Sequence, residues 1–435
     1  MRQRFHKNMS VRKIYFVWTL FCRHNKQFDT QPGICDNRLQ KKMEATMIEK
    51  IDNGKLAISG RVDSNNAGEV EEELLKYANV GEDIVIDASG LEYISSAGLR
   101  SFLKLKKTIK AEVSVVDVSP EIYDIFEVTG FVEILDIHKR LKEISIDGCE
   151  VVGEGANGKV YRLDDETIIK VYEPGVPMSV VEDERNISRA AFLAGVPTAI
   201  SYDVAKVGDS YGAVYEMLQA KTLSEVIMAN PEKAEEFGVG MGKLLKELHH
   251  TNADREKLKN MNDIYRSRAE GMSKYLTDAE HEKLMKVYNM LDDRDTLLHG
   301  DYHTKNIMYM NGEMMFIDMG DVGYGHPLLD IGGTYLGMIH VGKLNPDAVP
   351  HYIGIDCDTA IKVWNAAMEE YFGKDVELGK ELAMIYGEAK YTLTPYIYTK
   401  MTDDMIEGFL NRARTNSLIS ESFDISPALN NTLDI

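Results

Sequence analysis

The stretch from residue 297 to residue 330, LLHGDYHTKNIMYMNGEMMFIDMGDVGYGHPLLD, constrains this chain more than any other. Two apolar, strand-like runs are set around short polar turns. His299-Gly300-Asp301 ends the first run, Asn306 follows five residues after Asp301, and Met314-Met315-Phe316-Ile317 then delivers Asp318. Any one of these polar residues alone reads as an ordinary turn residue of a β-hairpin. Together, at this spacing, they supply what moving a γ-phosphate requires. That is a carboxylate near the attacking hydroxyl, with an amide oxygen and a second carboxylate for magnesium. Such a reading demands an ATP-binding half upstream.

The upstream sequence provides one. Val151 to Tyr161 (VVGEGANGKVY) is a hairpin between apolar strands, with Gly153, Gly155 and Gly158 at the G-x-G-x-x-G spacing of a loop laid over phosphates. Alone this is a weak signal, because Gly and Asn also make plain hairpin turns. Residues 167–172 (TIIKVY) follow as a strand with a single lysine, Lys170, among apolar residues. A buried lysine is rare unless paired. Glu184, on the helix expected over 180–194, is its natural partner, with Asp183 and Glu182 as competitors. A glycine loop, a strand lysine and a helix glutamate in that order hold the α- and β-phosphates in kinases. The next apolar strand, YGAVYEML (211–218), runs into a polar turn, where the backbone of Glu216 and Leu218 could bond adenine. Helices are expected near 222–229, 233–251, 262–275 and 278–290, then 358–372, 378–392 and 403–414. Their apolar residues at helical spacing read as core.

In order, GEGANGKVY, IIKVY, Glu184 before AGVP, HGDYHTKN, FIDMGD and GHPLLDIG resemble the aminoglycoside phosphotransferase (APH) family, over roughly residues 148–435. The resemblance implies a two-lobed, protein-kinase-like α+β fold: an ATP lobe at 148–220 and a largely helical catalytic and substrate-binding lobe at 221–435. It implies Asp301 as the catalytic carboxylate, Asn306 and Asp318 as Mg2+ ligands, and Lys170 on the phosphates of ATP. Asp330 and His299 would brace the catalytic loop. No core position of the pattern is missing. Only eleven residues separate Asp318 from Asp330. That leaves no room for the peptide-docking segment of a protein kinase and favours a small hydroxylated acceptor.

Before this region, residues 47–141 read as a smaller α/β layer. Short strands flank Asp52-Asn53-Gly54, a hairpin signal. Helices over 65–78, 96–109 and from Pro120 alternate with strands over 83–87 and 112–118. Ser95 and Ser96 stand where the second helix begins, and one of them suits its N-cap. GRVDSNNAGEVEEEL, IDASGLEYISSAGLRSFL and VSPEIYDIFEVTGF resemble the STAS domain of anti-sigma factor antagonists. The resemblance implies a protein partner and a phosphoacceptor serine two residues before the helix glycine, Ser96. Where that family often has Asp just before it, this chain has Ser95.

Charge and composition narrow the rest. Residues 1–46 hold 10 Lys/Arg against 3 Asp/Glu, whereas 47–435 hold 40 against 67. So acidic a body repels nucleic acid and anionic membrane and tolerates a cationic acceptor. The apolar run 14–22 is too short to span a bilayer, which takes about 20 residues, and no cleavage signal follows it. The codons of Met43-Glu44-Ala45 can spell a ribosome-binding sequence, so residues 1–46 are expected to be a non-native or unstructured leader, with the native start near Met47. Cys22, Cys35, Cys149 and Cys357 have neither metal nor disulfide spacing, which fits a reduced cytoplasmic compartment. The leading expectation is an ATP- and Mg2+-dependent small-molecule kinase with a regulatory STAS domain. The alternatives are a signalling protein that is phosphorylated on Ser96 and a nucleotide binder without turnover.

Overall fold

The computed structural model describes residues 46–52, 54–155, 158–397 and 400–430. The reading of the leader lies outside these residues apart from Thr46, as do Asn53 of the first turn and Ala156 and Asn157 of the glycine loop. The chain divides into two compact units after Arg140.

The first unit is a five-stranded sheet in sequential order, β1 (Met47–Asp52), β2 (Lys55–Val62), β3 (Ile84–Ile94), β4 (Val113–Val118) and β5 (Asp136–Lys139). β1 and β2 pair antiparallel, and the other neighbours run parallel. The parallel pairs require crossovers, supplied by α1 (Ala67–Lys76), α2 (Ser96–Ile109) and α3 (Pro120–Val128). Leu99, Phe102, Leu105 and Ile109 recur on one face of α2 and are buried against the sheet. α3 starts on a Ser119 N-cap with Pro120 in its first turn. Strand β3 runs to Ile94, seven residues past its expected end, and so carries the chain straight to Ser95.

The second unit begins with a six-stranded sheet in the order β6-β10-β11-β9-β8-β7. Its strands are β6 (Lys142–Glu143), β7 (Val151–Gly155), β8 (Gly158–Arg162), β9 (Thr167–Tyr172), β10 (Ser201–Val207) and β11 (Ser210–Glu216). Between β9 and β10 lies α4 (Met178–Leu193). The segment from Lys142, for which no element is expected from the sequence, adds a parallel edge strand to β10. Ile144 and Ile146 then pack on that sheet.

The remainder is helical around one large core. Its main helices are α5 (Leu223–Ala229), α6 (Ala234–His249), α7 (Met261–Gly271), α8 (Asp278–Asn289), α9 (Leu328–Tyr335), the short α10 (Val349–Ile353), α11 (Cys357–Phe372), α12 (Val376–Thr392) and α13 (Asp403–Asn416). Thr222 and Thr277 close reciprocal caps with Glu225 and Glu280 at the starts of α5 and α8. Embedded in these helices is the hairpin Ile307–Met310 with Glu313–Phe316, paired from Ile307↔Phe316 to Met310↔Glu313. Asn306 precedes its first strand and Asp318 follows its second, so both lie at its open end. Among the described residues, no helix is long and apolar enough to cross a membrane.

Candidate active site

The loop His299–Asn306 is held from below by Asp330, in the first turn of α9. Asp330 is fully buried; its Oδ2 accepts His299 N–H at 2.6 Å and its Oδ1 accepts Gly300 N–H at 2.7 Å. His249 Nε2 lies 3.3 Å from Oδ2. Burial alone would raise the Asp330 pKa, but the His249 bond and the His299 amide hold it below the usual carboxylate range. His299 is equally buried: its Nε2 donates to Ile317 O at 3.2 Å and its Nδ1 accepts Asp301 N–H at 3.3 Å. Burial lowers its pKa, so the ring is the neutral tautomer those two bonds define. Both residues therefore brace the loop.

Asp301 projects from this frame, half-buried. Asn306 Nδ2 donates to its backbone O at 2.9 Å and to Oδ2 at 3.2 Å, which turns the Asn306 amide oxygen away from Asp301. His303 Nε2 stands 3.3 Å from Oδ2, and the Tyr352 hydroxyl donates to Oδ1 at 3.3 Å. Burial again opposes ionisation. The His303 bond and the charge of Lys390 outweigh it and keep the Asp301 carboxyl well below its ordinary pKa.

Lys170, in the middle of β9, reaches both Glu184 Oε1 on α4 and Asp318 Oδ1, each at 2.8 Å. Of the three acidic residues in competition, the geometry selects Glu184. Desolvation would lower the Lys170 pKa, but Asp318 and Glu184 together raise it above the usual lysine value. Asp318 adopts the left-handed conformation, φ 57° and ψ 57°, a strained setting for a residue with a side chain. The kink ends the hairpin and swings the carboxylate toward Lys170. Backbone pairing of Ile317 N–H with Asn306 O at 3.0 Å keeps Asn306 beside it.

The glycine hairpin pairs Gly153 with Val160 and Gly155 with Gly158. Its glycines are not equivalent. Gly158 has φ +153°, and a Cβ there would sit 2.0 Å from Val171 O, whereas nothing lies within 4 Å of a Cβ on Gly155. Gly158→Ala is therefore expected to destabilise the second unit by about 2–3 kcal/mol. Gly155→Ala should stay within about 0.5 kcal/mol. Thermal melts of the two variants side by side check this.

At the end of β11 the Glu216 N–H is bonded to Ile200 O at 2.9 Å, and the Ile200 N–H turns to the Glu216 carboxylate at 3.3 Å. Met217 N–H bonds Glu166 O at 2.7 Å. For Glu216, then, the carbonyl is the backbone group available to a purine. Met217, Leu218, Gln219, Ala220 and Lys221 border an open cavity of about 410 Å3, shared with Arg162 and the turn around Asn311. It includes neither Lys170 nor Asp318, so it is separate from the space around that ion pair.

With this geometry in place, two domain matches decide the family. Residues 42–144 match the STAS domain, and residues 148–353 match the phosphotransferase enzyme family, APH. The chain thus carries a STAS domain followed by a domain that matches the APH family model. Over 100 residues it is 37% identical to BtrV of Bordetella bronchiseptica, a candidate anti-sigma factor antagonist. The alignment spans 22% of this chain and 85% of BtrV. Among solved structures, a choline/ethanolamine kinase family protein of Mesorhizobium loti shares 16% identity at a TM-score of 0.44, covering 65% of this chain and 91% of that one. The amicoumacin kinase hAmiN shares 16% identity at 0.45, covering 69% and 94%.

The STAS–APH chain also has site residues that the sequence reading missed. His303 lies inside the HGDYHTKN motif, two positions past Asp301, and its place on the same loop could have flagged it. Tyr352 carries no local signal. Lys390, on α12, donates to Gly300 O at 3.2 Å and sits near Tyr265. Like Lys170 it is a lone lysine on an apolar face, beside the buried Tyr386 and Ala389, and the same argument would have found it. In the STAS domain, Ser95 is the N-cap of α2, accepting Gly98 N–H at 3.3 Å. Ser96 is the first helical residue and is exposed.

Proposed function

We propose that the APH domain transfers the γ-phosphate of ATP to a hydroxyl group of a small molecule. The observation that carries this reading is the Asp301 carboxylate. It is ionised, aimed by Asn306 and His303, fixed from below through Asp330, and presents Oδ1 to a hydroxyl group. In the reaction, the acceptor oxygen attacks the γ-phosphorus, its proton passes to Asp301 Oδ1, and ADP leaves. Lys170, held between Glu184 and Asp318, would pair with the nucleotide phosphates once they arrive. Gly153, Gly155 and Gly158 let the hairpin backbone lie close over them. The Glu216 carbonyl and the Leu218 amide would meet adenine.

Asn306 and Asp318 fit a magnesium site. Both present oxygen ligands, and Asn306 Oδ1 is turned outward by the bonds its Nδ2 makes. Two protein ligands suit Mg2+, which keeps waters and takes substrate phosphates for the rest. Among the described residues, no cluster of three or more His, Cys, Asp or Glu forms a metal site of another kind. When bound, Mg2+ would neutralise charge on the phosphates.

The test is ADP release by the full chain with ATP and Mg2+, with and without pools of sugars, amines and amino alcohols. Release that depends on one pool, and is lost in Asp301→Asn, is the expected result. No pool-dependent release would sink the small-molecule reading. The exposure of Ser96 favours a second reading, in which the STAS domain is phosphorylated there and binds a protein partner. A phosphate at the first turn of α2 would meet open helix N–H groups. Phosphate on Ser96 that disappears in Asp301→Asn would support it, and an unmodified Ser96 in active protein would count against it.

A further inference from the structure

The two oxygens of Asp301 keep different company. Oδ2 takes Asn306 Nδ2 at 3.2 Å and His303 Nε2 at 3.3 Å, whereas Oδ1 takes the Tyr352 hydroxyl at 3.3 Å. Tyr352 arrives from α10, whose backbone is pinned to the loop that carries Asp301. Thr304 Oγ1 donates to Ile353 O at 2.5 Å, Lys305 Nζ donates to His351 O at 2.6 Å, and Val349 and Ile353 are fully buried. With that backbone fixed, rotation of the Tyr352 side chain is the motion left. The residue is 45% exposed, its ring 5.4 Å from that of His303. Gly337, in the π-turn Leu336–His340, also abuts the ring: a Cβ there would lie 2.6 Å from Tyr352 Cε1. Widened helical turns of this kind recur at functional sites.

An acceptor alcohol must donate its hydroxyl hydrogen to the same carboxylate, and Oδ1 is the oxygen already given to a phenol. We propose that Tyr352 holds the acceptor's hydroxyl place at Asp301 and keeps water out of it until an acceptor displaces the ring. This rests on the phosphotransferase reading above. At 3.3 Å the bond is long for O–H···O. An alcohol with further contacts to the protein therefore displaces the phenol readily. Water brings no such contacts and does not. Tyr352 thus acts through Asp301 as a specificity-determining residue, separating an alcohol from water and limiting wasteful hydrolysis of ATP.

The experiment measures acceptor-free ATP hydrolysis by the full chain, as phosphate and ADP released together, alongside nucleotide binding. Tyr352→Phe removes the hydroxyl but keeps the ring. Gly337→Ala keeps the hydroxyl and pushes the ring aside. Each is expected to raise hydrolysis roughly fivefold with the KM for ATP unchanged, and Asp301→Asn added to either should remove the gain. A residue needed only for folding would lower the rate, so the direction of change separates the two roles. Unchanged or reduced hydrolysis in both variants, with nucleotide still bound, overturns the role of Tyr352 and leaves the phosphotransferase reading standing. A wild-type chain that binds no nucleotide ends both. Phosphate found on Tyr352 after incubation with ATP also overturns the proposal, because the phenol would then be an acceptor itself.

Discussion

Asp301→Asn is expected to lower phosphotransfer by about 10²–10⁴-fold while the protein still folds and binds nucleotide. The isosteric amide keeps the volume of the side chain and one acceptor oxygen. It loses the negative charge that Asn306, His303 and Lys390 are arranged around. Because its pKa lies well below the ordinary carboxylate value, Asp301 is fully ionised throughout the neutral range. On the proposed phosphotransfer, the proton of the acceptor would then move to it late, when the attacking oxygen has become acidic. The activity of the wild type should accordingly show no loss from Asp301 protonation down to the ordinary carboxylate range, and any acidic limb above pH 5 must belong to another group. The measurement is kcat and KM for ATP in both proteins, with nucleotide affinity determined separately. A fall in nucleotide affinity equal to the fall in rate would mean that Asp301 serves binding and not transfer. A variant within fivefold of the wild type would remove Asp301 from the reaction.

What could be read from residues alone tracks how local each signal is. The loop and hairpin from His299 to Asp318 are legible because the residues that act together lie within twenty positions, and β-pairing across Ile307 and Phe316 adds little that alternation did not imply. Lys170 and Glu184 are fourteen positions apart; a lysine in an apolar strand demands an acidic partner, which narrows the choice to residues 182–184, and the structure selects Glu184. Tyr352 comes from 51 positions beyond Asp301, and only the packing of α10 brings it in. Lys390, 89 positions beyond, can be singled out as a lone lysine, but only the packing of α12 shows that it meets Gly300. The left-handed turn at Asp318 has no signature either, since Asp is common in many kinds of turn. Among the elements, β5 (DIHK) and β6 (KE) are short and polar, too weak for any periodicity to register. Their pairing is decided by the neighbouring strands β4 and β10. The helical run after Pro327 has a weak signal for another reason: Gly332, Gly333 and Gly337 lower helix propensity, although each lies in a close contact that leaves no room for a Cβ.

Asp330 is expected to be the costliest single side chain to remove from the APH domain. Asp330→Ala strips the partner from two buried amide groups and from the His249 ring, which is itself fixed through the Tyr371 hydroxyl at 2.7 Å. Leaving such groups unpaired costs about 3–5 kcal/mol, or roughly 5–10 °C in Tm for a unit of this size. Asp330→Asn retains one accepting oxygen but turns an NH2 group toward an N–H donor, so an intermediate loss is expected. The sign of the pH dependence follows from the lowered pKa. The contribution of Asp330 is complete above the unfolded carboxylate value of about 4 and disappears as pH falls through the still lower folded value. Wild type and Asp330→Ala should therefore differ most at neutral pH and converge on acidification. Melting both proteins at pH 7 and at pH 3 to 4, with the transitions of the two domains followed separately, tests this. A shift below about 2 °C at pH 7 would mean that water or a neighbouring group takes over the two amides. The catalytic loop would then be held chiefly by its own contacts through Asn306, Thr304 and Tyr302, and Asp330 would no longer be what positions Asp301.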